Sequence, residues 1–284
     1  MITYIQAIML GLLQGISELF PVSSLGHSVI LPQLLGWNIH QSDNAFIVFL
    51  VATHFATALV LLAFYQKTWI RISRGIWRSL KVREIKESDS DAKLGWLLIV
   101  GTVPAGLIGL LFEKQIRHIF VTARSAAFFL ILNGLLLLAA EYLRRKARTH
   151  AGGEPSERLA KLTWFQSIKV GAAQSLALIP GLSRSGAAMG GGLLVGLSHV
   201  DAAEFAFLLA TPIIFAASLL KLPELFKAEN ANLVGPALVG AVCSAATAYI
   251  AIKFLTRYFQ TQSLTPFGIY CLVAGVGASL LLLR

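Results

Sequence analysis

Long apolar runs separated by short polar stretches set the pattern of this chain. Runs free of Asp, Glu, Lys and Arg cover Asn44 to Gln66, Leu94 to Phe112, Ser125 to Ala140, Asn232 to Ile252 and Leu264 to Leu283; a sixth, Ala202 to Leu220, carries only Glu204. A helix needs about 20 apolar residues to cross roughly 30 Å of hydrocarbon, so each run reads as a membrane-spanning helix. Two other apolar stretches do not fit that length. The first reaches Gln14 and is then interrupted by Glu18, Pro21, Ser23 and Ser24; the second, Trp164 to Leu197, has the same character. Each is expected to enter the membrane and turn back as a helical hairpin. Its polar, irregular backbone must then lie inside protein, the only place at membrane depth where such backbone is tolerated.

The two hairpins match one another at an offset of 160 residues. Gly11 falls on Gly171, Gln14 on Gln174, Ser23 on Ser183, Gly26 on Gly186 and Gly36 on Gly196, while Pro21 and Pro180 match one place out of step. The chain therefore reads as a single integral membrane domain, 1–284, with repeat 1 over about 1–143, a basic linker over 144–163 and repeat 2 over about 164–284.

Composition agrees with a membrane protein: 56% of the 284 residues are hydrophobic and 13% charged, and the mean hydropathy is +0.71. The opening MITYIQAIML lacks the basic region and small-residue cleavage site of a secretory signal, so it is expected to stay in the mature protein. Cys243 and Cys271 fall inside expected spans, where packing is their expected role.

The net charge of +10 raises the question of nucleic acid, and the placement of the charge answers it. Eight Lys or Arg lie between Gln66 and Lys93 and six between Arg144 and Lys161, each group following the end of an apolar run. That is the distribution of cytoplasmic loops, not of a nucleic-acid site. With both loops inside, the first hairpin opens from outside, the second from inside, and both termini lie outside. The expected fold is thus an all-α polytopic membrane protein, an inverted-topology repeat of two re-entrant helical hairpins plus six transmembrane helices. Such repeats gather discontinuous helices and their ligand sites near the midplane.

Each hairpin carries one isolated charge. Glu18 is the only charged side chain in the first 42 residues, and Arg184 the only one between Val170 and Val200. Ionisable groups at membrane depth cost at least ~2.5 kcal/mol on insertion scales and mark a site or an ion pair. A purely structural Glu18–Arg184 salt bridge is one reading, but it leaves the surrounding hydroxyls and glycines without a purpose. Gln14 and Glu18 share a helix face and offer hard oxygen ligands to Mg²⁺ or Ca²⁺. Ser24 and His27 place a hydroxyl nucleophile beside an imidazole. In GLSRSGAAMGGG, from Gly181 to Gly192, Arg184 suits phosphate bidentately, Ser183 and Ser185 add hydroxyls, and Gly186 lets its amide approach an anion. Gly190, Gly191 and Gly192 read instead as close helix packing.

The stretches QGISELFPVSSLGH and PGLSRSGAA resemble the two signature motifs of the undecaprenyl pyrophosphate phosphatase family, the bacitracin-resistance proteins of bacterial membranes. Gln14 and Glu18 satisfy the first motif, and Pro180, Gly181, Ser183, Arg184 and Ser185 the second; AAEFAFLLATP, from Ala202 to Pro212, is similar to the family's next segment. One departure is Ala188, where the family has Thr. The resemblance implies hydrolysis of undecaprenyl diphosphate, recycling the lipid carrier for the cell wall, in a multi-pass protein of the bacterial inner membrane with its cleft toward the exterior. It further implies Arg184 with Ser183, Ser185 and Gly186 on the terminal phosphate, Glu18 and Gln14 on a divalent cation, Ser24 or water as nucleophile and His27 moving the proton. Lipids surround the protein, no nucleic acid is expected, and a homodimer is compatible with the sequence. The competing function is a flippase that moves a polyprenyl phosphate without cleaving it.

Overall fold

The computed structural model describes residues 2–39, 43–120, 122–144 and 154–283; over 112–120 and at 155 it describes the backbone alone. Residues 145–153 of the expected linker lie outside the described residues. Among the described residues there is no strand, and five helices are long and apolar enough to cross a membrane. They belong to α3 (Asn44–Phe64), α5 (Ser90–Phe120), α6 (Ala123–Leu143), α10 (His199–Lys221) and α11 (Val234–Tyr258). The sixth expected span, α12 (Thr265–Leu281), is apolar but has 17 residues. The chain is a multi-pass helical membrane protein.

Two pairs of short helices occupy the interrupted stretches: α1 (Tyr4–Leu19) with α2 (Ser24–Leu34), and α8 (Trp164–Gln174) with α9 (Arg184–Leu194). The local chemistry that builds them is duplicated. Thr3 and Gln6 form a capping box at the start of α1, and Thr163 and Gln166 form the same box at α8. Such a box satisfies two helix-end amides reciprocally. Ser23 caps α2 by accepting from the Gly26 amide at 3.2 Å, and Ser183 caps α9 by accepting from the Gly186 amide at 3.1 Å. Just past the far ends, Gly36 at φ +63° and Gly196 at φ +97° adopt the left-handed conformation that stops a helix. Every one of these pairs is separated by 160 residues.

The pairs are held by crossed packing. α1 lies against α11, and α8 against α5. At the first crossing Gly11 meets the backbone of Gly240, and at the second Gly171 meets that of Gly101, with no room for a Cβ at either. α6 packs along α12 and also touches α2 and α9, while α3 packs on α10 and α11. Both short pairs thereby bury one side against longer helices, with Leu10, Leu19, Val170 and Leu193 inside, while Ile5 and Ile16 of α1 and Phe165 of α8 stay exposed on the other.

The basic stretch after α3, expected as a loop, is instead the amphipathic helix α4 (Gln66–Val82) followed by the start of α5. The reason is periodic: Ile72, Gly75 and Ser79 are buried on one face, where Gly75 abuts Ala92 and Ser79 accepts from the Trp96 indole at 2.9 Å. Charges flank that face, Arg71 lying 3.7 Å from Asp91 of α5. Arg78 donates to both oxygens of Asp89 at 3.0 and 2.9 Å, holding the Asp89 carboxyl below its ordinary range. The short helix α7 (Pro155–Leu159) completes the element order and is tied to α10 by Arg158 on Asp201 at 2.8 Å.

Candidate active site

The two turns between the short helices, 20–23 and 175–183, dock on each other through matching positions. A Cβ on Gly26 would come within 2.9 Å of Gly181 Cα, and one on Gly186 within 3.2 Å of Pro21 Cβ. Pro21 and Gly181 are themselves 160 residues apart, so the contact is reciprocal. Ser23 takes φ 70° at this point, a left-handed conformation costly for a residue with a side chain. Strain of that kind persists only where the surroundings over-determine it, and it gathers at functional sites.

Glu18, on the last turn of α1, sits at the centre, its side chain 4% exposed. Arg184, first residue of α9, donates to Oε1 in a direct salt bridge. Oε2 accepts from the Ser24 hydroxyl at the start of α2 and from Gln14 Nε2 at 3.0 Å. Oε2 also faces His54 Nε2 of α3 at 3.2 Å, and the His54 ring is oriented by its Nδ1 bond to the Leu50 carbonyl at 2.7 Å. Burying an acid and a base becomes tolerable when each is paired and hydrogen-bonded, as here. The pair is not sealed: the Arg184 side chain keeps 23% exposure and that of His54 21%, so the cluster is open along these two while Glu18 stays covered.

The structure thus brings together Gln14, Glu18, Ser24 and Arg184. The remaining expected residues lie close by in other roles. Ser183 and Ser185 Oγ are 3.1 Å apart, and Ser185 donates to the Phe20 carbonyl at 3.0 Å. With the Gly186 amide on Ser183, these groups form a chain that fastens α9 to the first turn. Their hydrogen bonds are thus committed to protein. His27 Nδ1 bonds the Ser23 carbonyl at 2.7 Å and Nε2 the Tyr270 hydroxyl at 2.9 Å, with the two rings stacked. The imidazole on Glu18 is therefore His54, not His27. Ala188 is buried, 1% exposed.

Sequence reasoning passed over His54, Asn133 and Tyr270. His54 had a signal: Thr53, His54 and Thr57 are polar neighbours at helical spacing inside an apolar run. So had Asn133, the single amide between Ser125 and Ala140. Its side chain, 2% exposed, reaches both turns.

Gln14 Oε1 is buried without a hydrogen-bond partner beside a carboxylate, a donor set that suits a hard divalent cation. Among the described residues no three His, Cys, Asp or Glu side chains converge. The protein offers two oxygen-bearing side chains here, and the rest of a coordination shell would come from phosphate or water, a habit of Mg²⁺.

Fold and site together define a multi-pass membrane protein with a buried acid–hydroxyl–guanidinium cluster between two broken helix pairs. Residues 7–277 match the family described as Bacitracin resistance protein BacA, and the chain belongs to that family. It is 47% identical to a protein of Mycolicibacterium paratuberculosis named undecaprenyl-diphosphatase, covering 98% of this chain and 97% of the relative. It is 44% identical, over 96% of both chains, to the undecaprenyl-diphosphatase 2 of Chromobacterium violaceum. A Frankia alni protein named undecaprenyl-diphosphatase 2 shares 40% over 96% of both.

Proposed function

We infer that this chain is an undecaprenyl-diphosphatase of the bacterial plasma membrane. It hydrolyses undecaprenyl diphosphate to undecaprenyl phosphate and inorganic phosphate, returning the lipid carrier to cell-wall synthesis. Family membership and the names of the relatives support the activity. The observation that carries it is the meeting of Glu18, Ser24 and Arg184 from three different helices. A base, a hydroxyl and a cationic fork are the protein groups that phosphoryl transfer asks for.

In this reading α1 with α2 and α8 with α9 are the two re-entrant hairpins, and α12 is the sixth span. At 1.5 Å per residue, 17 residues reach about 25 Å, near the short end of what crosses a bilayer. The duplicated capping boxes, serine caps, end glycines and glycine crossings support an inverted repeat. The basic helix α4 supports a cytoplasmic position for the α4–α5 end and hence an outward opening for the first hairpin.

The prenyl tail lies among lipid-facing helices while the diphosphate reaches the exposed edge of Arg184. The guanidinium takes the terminal phosphoryl group in exchange for Glu18 Oε1. Ser24 Oγ attacks the terminal phosphorus as its proton passes to Glu18 Oε2, along the hydrogen bond already present. The bond from that phosphorus to the bridging oxygen breaks, and undecaprenyl phosphate leaves. Water then cleaves the phosphoserine to release phosphate, its proton passing to the His54 imidazole beside Glu18 while Glu18 Oε2 returns a proton to Ser24 Oγ; His27, bonded to Ser23 and Tyr270, holds the start of α2. Direct attack by water is the alternative route to the same products. Ser183, Ser185 and Gly186 act by seating the start of α9. Gln14 and Glu18 would hold Mg²⁺ or Ca²⁺, which supplies counter-charge to the diphosphate when bound.

Phosphate release from detergent-purified protein, where no compartments exist, tests the reading, because a flippase without hydrolysis releases none. Arg184→Ala is expected to lower turnover by about 10²-fold or more, as loss of a charge-stabilising donor does. Arg184→Lys is expected not to restore it, since a point charge lacks the bidentate fork. Hydrolysis by Arg184→Ala at the wild-type rate overturns the assignment.

A further inference from the structure

The two turns that lead into Ser24 and Arg184 come from opposite halves of the chain, yet one side chain bonds to both. Asn133, midway along α6, donates from Nδ2 to the Pro21 carbonyl at 3.0 Å and accepts at Oδ1 from the Ser183 amide at 2.9 Å. Nδ2 also lies 3.3 Å from Cys271 Sγ on α12. The orientation of the amide follows from these partners, since the carbonyl needs a donor and the backbone N–H an acceptor. Pro21 is three residues before Ser24, and Ser183 immediately precedes Arg184. The residue after Asn133 is Gly134, whose close approach to Gly268 brings α6 against α12 at this level.

We propose that Asn133 is a positioning residue for phosphate-ester cleavage, fixing the Ser24 turn relative to the Arg184 turn so that hydroxyl and guanidinium address one phosphoryl group. The inference rests on the proposed phosphatase reading. The other links between the turns are the Ser185 bond to Phe20 and the glycine contacts, which bring the turns close but set fewer directions. Asn133 bonds a backbone acceptor on one turn and a backbone donor on the other, which fixes their relative register. A buried amide with both ends used is also costly to replace, because each backbone group it serves is left unpaired. Misplacement by about 1 Å at a reacting centre costs up to ~10²-fold in rate.

The test is a kinetic and thermal comparison of Asn133→Leu, which keeps the γ-branched shape and removes both bonds, and Asn133→Asp, which keeps the acceptor for Ser183 and removes the donor to Pro21. With purified protein and a short prenyl diphosphate, Asn133→Leu is expected to lose about tenfold to a hundredfold in kcat per folded molecule, with KM within about threefold of wild type. Asn133→Asp is expected to fall between the two. Placed in an Arg184→Ala background, Asn133→Leu is expected to cost about twofold or less, since there is no guanidinium left to align. A merely structural Asn133 would lower the unfolding temperature and the folded fraction while leaving kcat per folded molecule unchanged, and that result overturns the proposal. Equal losses in both backgrounds overturn it as well. Should Asn133→Leu fail to fold, the Asp variant decides by the same kcat and KM criteria. Wild-type rates in Arg184→Ala would instead sink the phosphatase site itself, which keeps the two failures apart.

Discussion

Glu18 takes hydrogen bonds from its own helix, from α2 and from α9, and touches α3, so its carboxylate is the node on which four elements agree. Replacing it by Gln keeps the volume and removes the counter-charge of Arg184. Breaking a buried ion pair costs roughly 3–5 kcal/mol, and the partial exposure of Arg184 places this one at or below the lower end. Thermal unfolding of Glu18→Gln in detergent should show that loss, and phosphate release should fall with it; an unchanged unfolding temperature would deny Glu18 its pairing. At the same scale, quenching a turnover with labelled substrate should leave phosphate on Ser24, whereas single-step inversion at phosphorus would assign the attack to water. Much of this site was legible in the residues. Glu18 and Arg184 stand out because each is the lone charge in an apolar stretch, and Ser24 because it follows a break in a helix. His54 and Asn133 did not stand out, although the same criterion of isolated polarity in an apolar run applies to both. Which of the two imidazoles meets Glu18 depends on how α3 lies against α1, a tertiary fact that no local spacing encodes.

Between elements, the glycines decide how closely helices cross. Gly11 against Gly240 and Gly171 against Gly101 are contacts of backbone on backbone, so any side chain there must push two helices apart. Gly11→Val and Gly171→Val should each destabilise by ~1–3 kcal/mol or more, as overpacking does, and by similar amounts. Unfolding temperatures in detergent measure this; a silent Gly171→Val beside a damaging Gly11→Val would break the equivalence of the two crossings. The helices themselves follow from long apolar runs, and α6 begins and ends within a few residues of its run. α4 was missed because charge was allowed to outweigh period: Ile72, Gly75 and Ser79 recur at three- and four-residue steps through the basic stretch. The partner of each glycine was likewise hidden, since an offset within one chain says which positions match and not which ones touch.

For the molecule as a whole, the repeat offset makes a claim about sides of the membrane. Asn38 follows the first pair of short helices and Lys161 precedes the second, and both are exposed. With Cys243→Ala and Cys271→Ser as background, Asn38→Cys should react with an impermeant thiol reagent in intact cells, whereas Lys161→Cys should react only after permeabilisation. Reaction of both from one side would rule out opposite orientations for the two halves.

The salt bridge at the centre also carries a schedule. Its partners are separated by 166 residues, so at ~5–20 residues per second the ribosome needs roughly eight to thirty-three seconds between making the acid and making its base. Throughout that interval the nascent chain holds a carboxylate destined for the bilayer with its cationic partner still unsynthesised. The first helix pair can therefore take its final seat only after α9 has emerged and, because Gly11 of α1 crosses Gly240 of α11, after α11 as well.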